Sequence, residues 1–197
     1  MRSAFKSIIL AAVLFQGSAA IAQDTPAAEE PQAGADLDLG QPAGPAVGQP
    51  YILEEFGDWA MRCVRAPEGE SDPCNMYQLL SDDQGNAIAE FNFFRLPEGA
   101  NAAAGATVVV PLETLLTQQL TIAVDGQNAR SYPFRFCNAG GCVARLGFTA
   151  DEVEQFKRGA SATVRLVHAA NPGQEILLDL SLNGFTAGYE GTVNASE

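Results

Sequence analysis

Beyond residue 50 the chain alternates between apolar and polar positions. Trp59, Met61 and Cys63 share one parity, and Ile176, Leu178, Leu180 and Leu182 share another. Tyr132, Phe134 and Phe136 form a third run, which resumes after Gly140-Gly141 with Cys142, Ala144, Leu146 and Phe148. Apolar side chains at every second residue line one face of a strand, so these runs predict half-buried β-strands. Further strands are expected over residues 87–96, 106–110, 120–124 and 162–168. Ser81-Asp82-Asp83-Gln84-Gly85-Asn86 and Asp125-Gly126-Gln127-Asn128 supply turn chemistry between apolar runs. About eight strands in a chain of this length predict an all-β fold, a β-sandwich or a barrel-like set of antiparallel sheets.

The period changes once, after Phe148. Thr149 can cap a helix, Glu152 completes a capping box three residues later, and Phe148 with Val153 fills the two positions of a hydrophobic staple. Asp151 falls in the first turn, Lys157 and Arg158 in the last, and Gly159 offers a left-handed stop. One short α-helix over residues 150–158 follows.

The first 50 residues are of a different kind. Arg2 and Lys6 precede an apolar run from Ile8 to Phe15, and Ala20-Ile21-Ala22 forms a small-x-small site, which reads as a secretory signal peptide (residues 1–22) cleaved after Ala22. Gln16, Gly17 and Ser18 cut the apolar run short of the about 20 residues that a membrane anchor needs, and no later segment is long and apolar enough to span a bilayer. The mature protein is therefore not expected to be an integral membrane protein. Residues 23–50 hold five prolines and the acids Asp24, Glu29, Glu30, Asp36 and Asp38 with no base. Such a segment buries too little apolar surface to offset its ordering entropy, and is expected to be a disordered acidic tether. A domain over residues 51–190 and a tail over 191–197 complete the expected organisation.

Export sets the reading of the cysteines. Cys63, Cys74, Cys137 and Cys142 are even in number and grouped in two local pairs, so disulfides are expected in an oxidising periplasm or exterior. Of the three connectivities, the local one, Cys63 to Cys74 and Cys137 to Cys142, closes short loops without requiring the rest of the fold. Zinc knuckles want Cys-x2-Cys, and redox dithiols want Cys-x-x-Cys at a helix start; neither spacing occurs.

Charge and composition narrow the function classes. Eleven basic residues stand against 24 acidic ones, a formal charge of −13 that loss of the leader lowers by two, to −15. Nucleic acid and anionic membrane surfaces are held by clustered Lys and Arg, so neither is an expected partner. His168 is the single histidine, sits on the parity of Val164 and Leu166, and has no Gly-x-Ser-x-Gly elbow to serve. Lys157 is the only lysine left after cleavage and falls at a helix end. Asp58 beside Trp59 is the most suggestive carboxylate, since an aromatic platform with a nearby acid holds sugars; Trp59 is thus the candidate ligand-facing aromatic. Asp82-Asp83 with Asn86 resembles part of a calcium loop but lacks its ligand spacing and terminal Glu. No phosphate-binding glycine loop is present, and Asn194-Ala195-Ser196 is a formal glycosylation sequon in the tail. No catalytic residue, metal ligand set or cofactor site is expected.

Taken in order, certain landmarks resemble one family. They are Phe56-Gly57-Asp58-Trp59 before Cys63, Cys74 ahead of Gln78, Pro111-Leu112, Val124-Asp125-Gly126, Tyr132-Pro133-Phe134 before Cys137, Gly141-Cys142-Val143-Ala144, Lys157-Arg158-Gly159, and the closing run Ser181 to Tyr189. This order resembles the invasion-associated locus B family of bacterial envelope proteins, over roughly residues 51–189. Glu113, where a glycine is expected, and the Ala-rich loop 98–105 depart from the pattern in loops. The resemblance implies a secreted or periplasmic strand-rich domain, found in alphaproteobacteria, with a family name linked to host-cell entry and no catalytic residues to transfer. The expected role is a non-enzymatic interaction or structural module for an envelope or host protein, of open oligomeric state. A glycan- or small-molecule-binding domain is the alternative, and a carboxylate-dependent envelope hydrolase a distant third.

Overall fold

The computed structural model describes residues 38, 40, 43–82 and 84–195, with side chains through Thr192. The expected leader, most of the tether, Asp83, Ser196 and Glu197 lie outside the described residues. The chain divides into two units, Met1–Pro42 and Ala43–Glu197. Of the first, only Asp38 and Gly40 are described, joined by a hydrogen bond from the Gly40 amide to Asp38 Oδ1 (2.8 Å).

The second unit is all-β in character and holds eleven strands among the described residues. β1 (Pro50–Phe56), β2 (Trp59–Val64), β3 (Cys74–Ser81), β4 (Ala87–Arg95) and β5 (Ala104–Val110) form an antiparallel meander. A short 3-10 turn, Leu116–Gln118, precedes the β6 (Leu120–Val124) and β7 (Gln127–Tyr132) hairpin. The chain then returns to the first sheet with β8 (Phe134–Asn138) and β9 (Gly141–Phe148), passes through α1 (Ala150–Arg158), and completes the second sheet with β10 (Ser161–His168) and β11 (Asn171–Ser181) before α2 (Phe185–Ala195). The large sheet has the order β1-β2-β3-β4-β5-β9-β8 and the small one β11-β10-β6-β7, all pairs antiparallel.

Alternation explains the core between the sheets. Met61, Met76, Phe91, Phe93, Val108 and Ala144 point inward from the large sheet, and Ile122, Val164, Leu166, Leu178 and Leu180 meet them from the small one. Seven strands are wider than four, and α2 packs on β1 to β4 and on α1. Its Phe185 and Tyr189 rings join Phe93, Phe148 and Phe156, with Phe93–Phe185 centroids 5.0 Å apart. Gly188 permits the approach, because a Cβ there would stand 2.7 Å from Met76 Cε.

Three expectations need correction. The run from Tyr132 to Phe136 is not one strand: Pro133 lies between the two sheets, and a bulge between Phe134 and Phe136 leaves Phe136 48 % exposed. Residues 191–195 are the last turn of α2, not a tail. Gly159 ends α1 with extended angles (φ −72°, ψ 158°) rather than a left-handed stop.

The α1 cap has the expected form. Thr149 Oγ1 accepts from the Glu152 amide (3.3 Å), and the Glu152 carboxylate accepts from the Thr149 amide (2.8 Å). Glu152 also takes Arg130 of β7 as an ion-pair partner, tying the cap to the small sheet. Thr149→Ala should therefore lower unfolding stability by about 1 kcal/mol in urea titration. An unchanged midpoint would show that the box contributes nothing to the fold.

Candidate functional site

The opening and closing landmarks of the sequence meet in space. The β1–β2 turn, Gly57-Asp58, lies against the segment between β11 and α2. Gly57 (φ +60°) and Gly184 (φ +86°) both need the left-handed region. A Cβ on Gly184 would stand 1.8 Å from the Phe56 carbonyl oxygen, and one on Gly57 would stand 2.7 Å from that of Asn183. Contact this close joins backbone to backbone, through an Asp58 N–H to Asn183 carbonyl hydrogen bond of 3.2 Å.

Around this seam the polar side chains are engaged in the fold. Trp59 Nε1 donates to the Ser181 carbonyl (2.8 Å), as does Gln78 Nε2 (3.1 Å), while the Ser181 amide donates to Gln78 Oε1 (2.9 Å). Ser181 Oγ donates to Asp58 Oδ2 (2.6 Å) and accepts from the Asn183 amide (3.2 Å). Trp59 is 1 % exposed, edge-on to Phe91 and Phe185 at 6.0 and 5.5 Å. The expectation that it faces a ligand is thus corrected: its parity with Met61 and Cys63 turns the ring into the core, and Ser181 satisfies its N–H. An open groove of about 310 Å³ borders this seam, with Gly57, Asp58, Trp59 and Gln78 in its lining beside Glu55, Ala60, Tyr77 and Leu79, but the Trp59 ring itself is buried and Tyr77 lies beneath the Arg62 guanidinium, 3.9 Å from its ring centre.

The first disulfide, Cys63–Cys74 (Cα–Cα 4.0 Å), closes a loop organised by Asp72. Tyr51 Oη and Arg65 Nη1 both donate to Asp72 Oδ2 (2.5 and 2.7 Å), and the Ala66 amide donates to Oδ1 (2.7 Å). The Tyr51 hydrogen bond, followed by that of Ala66, holds the Asp72 carboxyl below the usual carboxylate range. The same bond raises the Tyr51 phenol above its ordinary value. Sequence reasoning missed Asp72 and Tyr51, and named Gln78 only as a landmark after Cys74, without its role. Gln78 alone left a signal, as a polar residue on the inward parity of Met76 and Leu80.

The second disulfide, Cys137–Cys142 (Cα–Cα 4.0 Å), clips the β8–β9 hairpin at the sheet edge. On the outer face of the large sheet, Arg62 pairs with Glu90 (3.2 Å) and donates to Asn92 (2.7 Å), which also accepts from Asn75 (3.0 Å). Beside it an open groove of about 280 Å³ runs along Leu79, Ile88, Val109 and Pro111.

Little here resembles reaction machinery. His168 stands at the end of β10, pairs with Glu113 (3.4 Å) and accepts from the Ala170 amide; it is brought to neither Ser181 nor Asp58. Asp72, Asp82, Glu154 and Glu175 are each held below the usual carboxylate range by a neighbouring donor, which favours the ionised form and not a general acid. For Asp82 those donors are Asn86 and the hairpin amides, in a turn that fulfils its expected structural part. Among the described residues no group of three or more His, Cys, Asp or Glu is placed to hold a metal ion, and no helix is long and apolar enough to cross a membrane.

Fold and site together define a disulfide-stapled, two-sheet β-protein whose landmark residues close the domain. Residues 59–193 match the family described as Invasion associated locus B (IalB) protein, and the chain belongs to that family. Two invasion protein B homologues of Brucella abortus, from strain 2308 and from biovar 1 strain 9-941, are each 24 % identical over 144 residues, 73 % of this chain and 80 % of theirs. The crystal structure of invasion associated protein B from Bartonella henselae has the same fold, with a TM-score of 0.60 and 21 % identity over 72 % of this chain and 95 % of that one.

Two measurements check the site. Gln78→Leu removes a donor and an acceptor from the half-buried Ser181 backbone, and should cost about 1–3 kcal/mol in chemical unfolding; a neutral result would mean that the Ser181 N–H finds another acceptor, since Trp59 can serve only the carbonyl. Asp72 carries a lowered folded pKa, so its contribution is present above the ordinary carboxylate pKa and is lost as pH falls through the folded value. Thermal scans across the acid range should accordingly show Asp72→Asn less stable than wild type at neutral pH, with the gap closing on acidification. A gap independent of pH would remove the ionised carboxylate from the account.

Proposed function

We propose that this protein is an exported, non-enzymatic envelope module that works by binding another protein. One observation carries the reading: the residues that would have served chemistry, Trp59, Asp58, Ser181 and the four cysteines, are engaged in holding the fold. What the domain has left to offer is surface. Its disulfides and the signal-like residues 1–22 support residence in the periplasm or outside the cell. The names of the Brucella and Bartonella relatives point toward invasion, and a host-cell contact is one setting in which such a module operates. The glycan-binding alternative loses its aromatic platform with the burial of Trp59.

In-cell crosslinking of the exported, tagged protein in its native envelope, read by mass spectrometry, is the test. A reproducible protein adduct that disappears when Gly184→Ala opens the seam supports the reading. Turnover of an envelope substrate by the purified protein, abolished by a point change that leaves the fold intact, would overturn it. The same preparation should begin at Gln23 and weigh about four hydrogens less than its reduced form; an intact leader or free thiols would contradict export.

A further inference from the structure

The charge of this chain is unevenly placed. In a protein with 24 acidic residues, residues 126–150 contain Arg130, Arg135 and Arg145 and no Asp or Glu. Folding sets β5, β9 and β8 side by side as the last three strands of the large sheet, and none of the three carries an acid. Arg130 is paired with Glu152. Arg135, in the β8 bulge, and Arg145, in register with Thr107 on the sheet's outer face, are exposed and make no ion pair among the described residues. Glu90 of β4, on the same outer face, is taken by Arg62, and Glu113 beyond β5 stands 3.4 Å from the His168 ring.

The same place has an open strand edge. Among the described residues β8 pairs with β9 alone. Directly opposed antiparallel residues at close Cα spacing form the pair that exchanges no hydrogen bonds with each other. Cys137 and Cys142, 4.0 Å apart at Cα, are such a pair, so the Cys137 N–H and C=O point away from β9 toward the free edge. Phe136, in register with Val143, adds a half-exposed ring beside them. A donor and an acceptor on the main chain, an apolar side chain and two unpaired guanidiniums are the elements that recognise an extended polypeptide.

We infer that the β8 edge is a docking strand for an extended acidic segment of a partner protein, added to the large sheet with its carboxylates on Arg135 and Arg145 and an apolar side chain on Phe136. This deepens the interaction-module reading and rests on it. Two arginines beside a ring and a strand edge make no track for a polyanion, which wants a longer basic stripe. A second copy of the chain is disfavoured, since copies of formal charge −13 repel, and the acidic edge strand β1 is broken by a bulge between Ile52 and Glu54.

The experiment titrates the 15N-labelled exported protein with a capped ten-residue peptide of alternating Val and Glu, against one of alternating Val and Lys. The acidic peptide should shift the amides of residues 134–138 and slow exchange at Cys137, and the basic one should not. Arg135→Glu/Arg145→Glu, with an unchanged spectrum elsewhere, should weaken the acidic peptide at least tenfold and admit the basic one. Equal affinity of the wild type and the reversed variant for the acidic peptide, or shifts confined to other strands, would overturn the assignment. So would concentration-dependent sedimentation abolished by the same reversal, which would give the edge to a second copy. Envelope capture that persists undiminished in the reversed variant also overturns it, while leaving the interaction-module reading standing.

Discussion

The backbone of one residue, Ser181, holds the two ends of this domain together. Its carbonyl accepts from Trp59 and Gln78, and its amide donates back to Gln78. Trp59 and Gln78 belong to the large sheet, and Ser181 ends the last strand of the small one. A strand leaving a sheet normally carries unpaired backbone groups toward solvent; here they are satisfied by side chains 122 and 103 residues away in sequence. Because an unmade buried hydrogen bond is costlier than a made one is favourable, this arrangement constrains everything near it. It forces the β1–β2 turn against residues 183–184, requires glycine at positions 57 and 184, and starts α2 where its first aromatic, Phe185, faces Trp59.

That constraint accounts for which parts of the structure were legible in the sequence. The capped helix Ala150–Arg158 was, since its signals lay within twelve residues and all but the left-handed stop at Gly159 held. So were β6, β4, β10 and the second half of β11, where alternation runs unbroken. β1 was not, because Glu54, Glu55 and a bulge erase its period. α2 was not, because Gly188, Gly191 and two threonines are poor helix formers; packing on the large sheet stabilises it rather than propensity. Pro133, where the chain passes from one sheet to the other, also looked like the middle of a strand, since the flanking Tyr132 and Phe134 both pack on the core.

The candidate site was read less well, for a related reason. An aromatic next to a carboxylate has the same local sequence whether it holds a sugar or closes a fold. Only the distant partner Ser181 decides between them, and nothing around Asp58-Trp59 announces it. The landmarks that mark the invasion-associated locus B family are therefore mostly the seam and the staples of a sandwich, and the surface proposed for a partner lies elsewhere, at the β8 edge beside Arg135 and Arg145.

Native-state hydrogen exchange at the Ser181 amide tests the central claim most directly. If Gln78 and Trp59 lock this peptide to the large sheet, its amide exchanges only through global unfolding, with the same opening free energy as the amides of Phe91 and Val164 in the two central strands. Exchange by local opening, far faster than those core amides and insensitive to denaturant, would show that the end of β11 frays freely and that the domain is closed by something else.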